Sequence, residues 1–138
     1  MRVCFDPSAF AKRYVAEAGS GAVIDRCAAA DEICLSALAV PELVSMLTRL
    51  RRAGELTEGT YHDLRGKLEE DLGHAAIVEV SASIIASAVG FIERAPLQAS
   101  DSIHLACARA ADCDLFVTSD RQQHAAARSL GFKAELVG

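Results

Sequence analysis

The 138-residue chain has no tryptophan, only two tyrosines and five phenylalanines, and only three prolines. With aromatics this scarce and alanine abundant, closely packed helices are favoured over an all-β barrel. Positive charge is also in deficit: the formal net charge is -5. That argues against non-specific binding of duplex nucleic acid, where Lys and Arg neutralise phosphates. It does not exclude a nuclease, because a cluster of site acids would account for most of the excess and a bound cation would offset it. There is no C-x-x-C. The five cysteines, Cys4, Cys27, Cys34, Cys107 and Cys113, are odd in number and lie mostly in apolar stretches. They read as reduced, buried thiols of a cytoplasmic protein rather than a zinc site or a disulfide framework. Long apolar runs are missing as well. The opening run ends at Asp6, too short for a signal-peptide core, and the stretch from Ile84 to Ile92 is broken by Ser and Gly, so no membrane span is expected. No Walker A motif occurs, and Gly19-Ser20-Gly21 follows a helical segment without a third glycine in register, which makes it a turn.

What is present is a hydrophobic content of 51%, enough for one domain over residues 1–138 with a real core. Short apolar runs predict strands over Arg2–Phe5, Ile33–Ser36, Ala76–Val80, Leu115–Thr118 and Phe132–Leu136. Helical periodicity predicts helices from Pro7 to about Tyr14, then Ala22–Ala30, Pro41–Ala53, Thr57–Leu72, Ser81–Glu93, a segment capped by Ser100 and running to Ala111, and Arg121–Leu130. Thr57 is the expected cap of its helix, and Gly54, Gly73 and Gly131 the expected stops. Strands alternating with helices imply an α/β fold with a parallel sheet covered on both faces.

Four acids stand at the ends of apolar runs or in the helices that follow them. Asp6 follows Val3-Cys4-Phe5, and Glu42 opens the helix after Cys34-Leu35-Ser36. Asp101 opens Ser102-Ile103-His104-Leu105-Ala106, and Asp120 follows Phe116-Val117-Thr118-Ser119. In an open parallel sheet these junctions gather outside the carboxyl ends of the strands. Acids far apart in sequence then share one pocket, and carboxylates with little positive charge nearby call for a hard divalent cation. Taken singly, Asp6 and Asp120 read as helix N-caps and Asp101 as a first-turn acid favoured by the helix dipole. Glu42 is different: flanked by Pro41, Leu43 and Val44 at the border of an apolar stripe, it is expected to be half buried and to need a partner.

The ordered set Val3-Cys4-Phe5-Asp6-Pro7-Ser8-Ala9, Pro41-Glu42-Leu43, Ser100-Asp101-Ser102-Ile103-His104-Leu105-Ala106 and Phe116-Val117-Thr118-Ser119-Asp120 resembles the PIN domain family of metal-dependent ribonucleases, in its compact VapC-type toxins. The resemblance runs from Val3 to about Val137. It implies a three-layer α/β/α fold with a central, mainly parallel sheet of four to five strands flanked by helices. It implies an endoribonuclease that hydrolyses RNA phosphodiester bonds with Mg²⁺ or Mn²⁺ held by Asp6, Glu42, Asp101 and Asp120. In that reading Asp6 and Asp101 are direct ligands, and Asp120 binds directly or through water. Glu42 holds a water of the ion or orients a second ion, and the hydroxyls of Ser8 and Thr118 orient carboxylates. Arg13 and Arg121, close to the expected pocket, are the candidates for contacting RNA phosphate. Lys12, Arg49, Arg51 and Arg52 read as a solvated basic face, His104 as a packed helical histidine, and His124 as a surface or packing residue. The partners implied are RNA, a VapB-type antitoxin and a second copy in a homodimer. Two other readings stand beside this one. A non-catalytic PIN-like module that binds RNA or protein would usually have lost one of the acids. Another α/β phosphoryl-transfer enzyme, such as a phosphatase or receiver domain, would carry D-x-D after the first strand, where this chain has Ser8.

Overall fold

Alternation along the first strand, β1 (Arg2–Phe5), divides the molecule into layers. Val3 and Phe5 enter one apolar cluster and Cys4 enters another. A computed structural model describes residues 1–138. After β1 come α1 (Pro7–Phe10), a 3-10 turn (Ala11–Arg13), α2 (Ser20–Ala29), β2 (Glu32–Ser36), α3 (Ala39–Arg52), α4 (Glu58–His74) and β3 (Ala76–Val78). Then follow α5 (Ala82–Arg94), α6 (Ala99–Ala110), β4 (Leu115–Thr118), α7 (Arg121–Ser129) and β5 (Ala134–Leu136). Strands β2 and β4 repeat the pattern of β1. Leu35, Leu115 and Val117 face the cluster that also holds Phe10, Leu43, Leu47 and Leu68, whereas Cys34 and Phe116 face the one that holds Phe91, Leu105 and Ala127. Helices α1 to α4 therefore cover one face and α5 to α7 the other, the double cover a parallel sheet requires. No helix is long and apolar enough to cross a membrane.

All five strands are parallel, in the order β3-β2-β1-β4-β5. The chain steps outward from β1 through β2 to β3, then returns to add β4 and β5 on the other side of β1. The order reverses between β1 and β4, and a crevice outside the carboxyl ends of the strands opens at such a switch.

Asp6, Thr57, Ser81 and Asp120 are side-chain N-caps, accepting from the amides of Ala9, Thr60, Ile84 and Gln123. Gly54 and Gly131, at φ +77° and +91°, follow the ends of α3 and α7 in the left-handed conformation that glycine adopts without strain. Some boundaries differ from the sequence reading. The first helix tightens after Phe10 into the 3-10 turn, which carries Lys12 inward: its Nζ donates to the carbonyl of Ala18 at 2.7 Å and to Glu17 at 3.1 Å. Gly73 does not stop α4, which runs on to His74. A helical glycine costs only about 1 kcal/mol in propensity, too little to end a helix whose other face is packed. Gln98, not Ser100, occupies the N-cap of α6, and it makes no side-chain bond. All five cysteines are free and four are buried.

Candidate acidic site

Asp6 leaves the end of β1 at the switch point and is 3% exposed. The Ser8 hydroxyl lies 2.8 and 2.7 Å from its two oxygens, so one proton serves either, and the amide of Ala9 donates at 3.0 Å. Burial pushes the Asp6 carboxyl above its ordinary pKa, opposed by these hydrogen bonds. Ser8 also accepts from the amide of Ser119, tying the loop after β1 to the loop after β4.

Asp120 stands across the switch. Its Oδ1 accepts from the amide of Gln123, and its own amide donates to the Thr118 hydroxyl at 3.0 Å. Thr118 donates in turn to Gln123 Oε1 at 2.7 Å, and Gln123 Nε2 donates to the backbone carbonyl of Asp101 at 3.2 Å. Gln123 is fully buried. One amide side chain thus ties the end of β4, the start of α7 and the first turn of α6, and sets the placement of Asp101 relative to Asp120. The single hydroxyl proton of Thr118 goes to Gln123 rather than to a carboxylate, so Thr118 orients Asp120 through its backbone.

Asp101 is half-buried in the first turn of α6, with a pKa pushed up to about 6. Burial is the main cause. The charges of Asp120, Asp6 and Glu42 add to it, and His104 opposes it. Asp101 therefore sits within electrostatic reach of the other three acids. Glu42, in the first turn of α3, meets His104: Nε2 lies 3.3 Å from Oε1 and 3.4 Å from Oε2. None of the four acids is ion-paired with a Lys or Arg. No three His, Cys, Asp or Glu side chains stand close enough to enclose a metal ion on their own.

An open groove of about 710 Å³ adjoins the crevice and is lined by Ser8, Ser119, Glu42, Met46 and Arg49 among others. Glu42 and Arg49 are seven residues apart on α3, two helical turns, and so share a face. That spacing was available in the sequence but was read as a solvated basic face. Arg121 is exposed beside Asp120 and makes no ion pair. Arg13, expected near the acids as a phosphate contact, is not there. The 3-10 turn directs it to Asp71 of α4, Nε to Oδ2 at 2.8 Å, beside residues that lead into β2 and β3 at the opposite end of the strands. Arg51 stacks on the Tyr61 ring at 4.3 Å, and His124 packs with Nε2 at 3.3 Å from the carbonyl of Ala134. Sequence reasoning passed over Gln123 entirely. It set His104 aside as packing, although the three-residue spacing from Asp101 placed both on one helix face.

A doubly covered parallel sheet with uncompensated carboxylates at its switch point defines a class of α/β/α proteins with an acidic crevice. The PIN domain model matches residues 3–129, and the chain belongs to the PIN domain family. It is 36% identical over 135 residues to ribonuclease VapC45 of Mycobacterium tuberculosis, an alignment covering 94% of this chain and 91% of the relative. Among solved structures it resembles a toxin–antitoxin complex from Klebsiella pneumoniae, with a TM-score of 0.69, 17% identity and coverage of 89% of this chain and 90% of the other. It also resembles VapC20 of Mycobacterium tuberculosis, described as a sarcin-ricin loop cleaving toxin, with a TM-score of 0.68, 16% identity and coverage of 94% and 95%. At these identities the two structures speak for the fold.

Proposed function

We propose that the protein is a metal-dependent endoribonuclease, the toxin of a toxin–antitoxin pair. The observation that carries this reading is the set of four acids with no Lys or Arg partner, gathered at the switch point of a PIN-family chain that is 36% identical to a named ribonuclease. The donor set fits a hard divalent cation, Mg²⁺ or Mn²⁺. All four groups are carboxylates, and their mutual repulsion together with burial lifts Asp101 to about 6, a strain that a cation relieves. Mg²⁺ usually keeps several of its waters and needs only one or two carboxylates.

Asp6 and Asp101 would hold the ion, with Asp120 and Glu42 completing the set. When bound, the cation supplies water activation near neutral pH and charge neutralisation at the scissile phosphate. The chain's own residues do the rest. Ser8 and the Ala9 amide keep buried Asp6 supplied with donors, which favours its charged form. Gln123 fixes Asp101 against Asp120. Arg121 and Arg49, exposed on either side of the crevice, offer cationic contacts for the RNA backbone. Products are a 5′-phosphate and a 3′-hydroxyl.

A VapB-type antitoxin is the expected partner, in line with the toxin–antitoxin complex among the structural relatives. A homodimer is supported by Ile85, Val89 and Ile92, exposed by 44%, 50% and 41% along one side of α5. A cytoplasmic location fits five free thiols and a chain without a membrane-crossing helix. The test is incubation of purified wild-type and Asp101→Asn protein with total RNA, in Mg²⁺ and in chelator, followed by mapping of new 5′-phosphate ends. Discrete ends from wild type in Mg²⁺ alone support the proposal. Equal cleavage by the variant, or cleavage in chelator, sinks it.

A further inference from the structure

His104 is 3% exposed on α6, and its partner Glu42 lies 62 residues away on α3. The two helices belong to opposite layers: Leu43 and Leu47 of α3 pack in one apolar cluster, Leu105 and Ala106 of α6 in the other. The contact therefore bridges the layers across the edge of the sheet. It is also the only hydrogen bond made by the Glu42 side chain, whereas Asp6 has two donors and Asp120 accepts from its helix. A free glutamate has three rotatable bonds, and fixing it costs rotamer entropy. Without His104, no hydrogen bond in the structure fixes the Glu42 carboxylate.

The ring has one way to act. Nδ1 is buried without a partner. A buried N–H left unpaired is rarer and costlier than a bare acceptor lone pair, which assigns the ring proton to Nε2, the nitrogen that faces Glu42. Nε2 lies almost equally far from both carboxylate oxygens, so it anchors the group as a whole and leaves either oxygen free to turn toward the crevice.

We propose that His104 is a positioning residue for the cation site. Its Nε2–H holds the Glu42 carboxylate in place, within electrostatic reach of Asp101. This rests on the reading of the four acids as a divalent-cation centre, and it adds a member that donates a hydrogen bond instead of ligating. Donors behind metal-binding carboxylates typically change metal affinity or activity about 10- to 100-fold when removed.

The experiment is a double-mutant cycle read by Mn²⁺ binding without RNA, using the spin-resonance signal of free Mn²⁺. The proteins are wild type, His104→Leu, Glu42→Ala and the double variant, with His104→Gln as the conservative replacement. His104→Leu is expected to weaken Mn²⁺ about tenfold or more, Glu42→Ala by a similar factor, and the double variant no further than Glu42→Ala. His104→Gln, which keeps a neutral N–H donor near the Nε2 position, restores most of the loss. On RNA, the Leu variant lowers kcat and leaves KM nearly unchanged. If His104→Leu does not fold, the Gln variant and Glu42→Ala still decide: a Gln variant as weak as Glu42→Ala for Mn²⁺ overturns the proposal. So does an affinity loss from His104→Leu that persists in full on the Glu42→Ala background, which marks a structural role. Wild type that binds Mn²⁺ with an affinity indifferent to residue 104 overturns this inference alone. Wild type that binds no Mn²⁺ overturns the cation-centre reading and this inference with it.

Discussion

Two groups of carboxylates lie at opposite ends of the strands, and they are finished differently. At the amino ends, Asp71 takes the Arg13 guanidinium at 2.8 Å and the Tyr14 hydroxyl at 2.6 Å. Burial pushes its pKa up, but the bonds from Arg13 and Tyr14 more than offset that and leave it below the ordinary value. At the carboxyl ends, Asp6, Asp101, Asp120 and Glu42 have no Lys or Arg ion-paired with them, and the pKa values of Asp6 and Asp101 are raised instead. The protein satisfies its structural acid from within and leaves the other group without a Lys or Arg partner of its own. A buried acid with its own cation is part of the scaffold, whereas several acids without one form a site that stays incomplete until something binds.

The largest effect expected from breaking this contrast is on cleavage. Asp6→Asn or Asp101→Asn lowers RNA cleavage by about 10²- to 10³-fold, the scale on which electrostatic stabilisation of a transition state is lost, while circular dichroism shows the fold retained. At the other end of the strands, Asp71→Asn or Arg13→Ala leaves Mn²⁺ affinity unchanged and lowers unfolding stability by about 1–3 kcal/mol in urea, because a charge-assisted hydrogen bond is lost and its partner stranded.

A subtler effect sharpens the contrast through pH. The carboxyl of Asp101 has a pKa of about 6 in the fold against an ordinary value of 3.8, so between those values the folded protein holds a proton that the unfolded chain has released. Stability in chelator therefore falls as pH rises from about 4 to 6 and stays reduced above that range. Asp101→Asn, which cannot ionise, raises the melting temperature at pH 7 in chelator and loses that advantage below pH 4. Asp71, with its lowered pKa, carries the opposite sign: its contribution is present at neutral pH and lost on acidification. Smallest is Arg121→Ala, which weakens RNA binding a few-fold and reduces the salt slope by about one counterion, as removal of one phosphate contact does.

Local chemistry made much of this legible in the sequence. Asp6 before Pro7, Thr57 ahead of its amphipathic helix and Asp120 after a buried run were readable as caps because a cap acts within three residues. Strand–helix alternation pointed Asp6 and Asp120 to the carboxyl ends of the strands, whereas Asp101, on a helix that follows another helix, joined them through the resemblance to the family. Partners across the fold were not legible. The position of Glu42 announced that it needed one, but His104 lies in the opposite layer, and a histidine on an apolar helix face looks like core until the two layers are brought together. Gln123 gave no signal: a glutamine in a polar first turn is ordinary, and only the fold shows that it alone links Thr118 to Asp101. Arg13 was misplaced for a geometric reason. Seven residues beyond Asp6 is close in sequence, but the 3-10 turn carries the chain away from the crevice to the amino ends of the strands.

The most direct measurement of the central claim is the melting temperature of wild type, Asp101→Asn and Asp71→Asn at pH 7, each titrated with Mg²⁺ from a chelated start. A ligand that binds only the folded state raises stability as its concentration passes the dissociation constant. Wild type and Asp71→Asn are predicted to gain melting temperature in parallel with Mg²⁺, with Asp101→Asn starting higher and gaining little. Equal gains in all three proteins, or none in wild type, would show that the carboxyl-end acids do not await a cation.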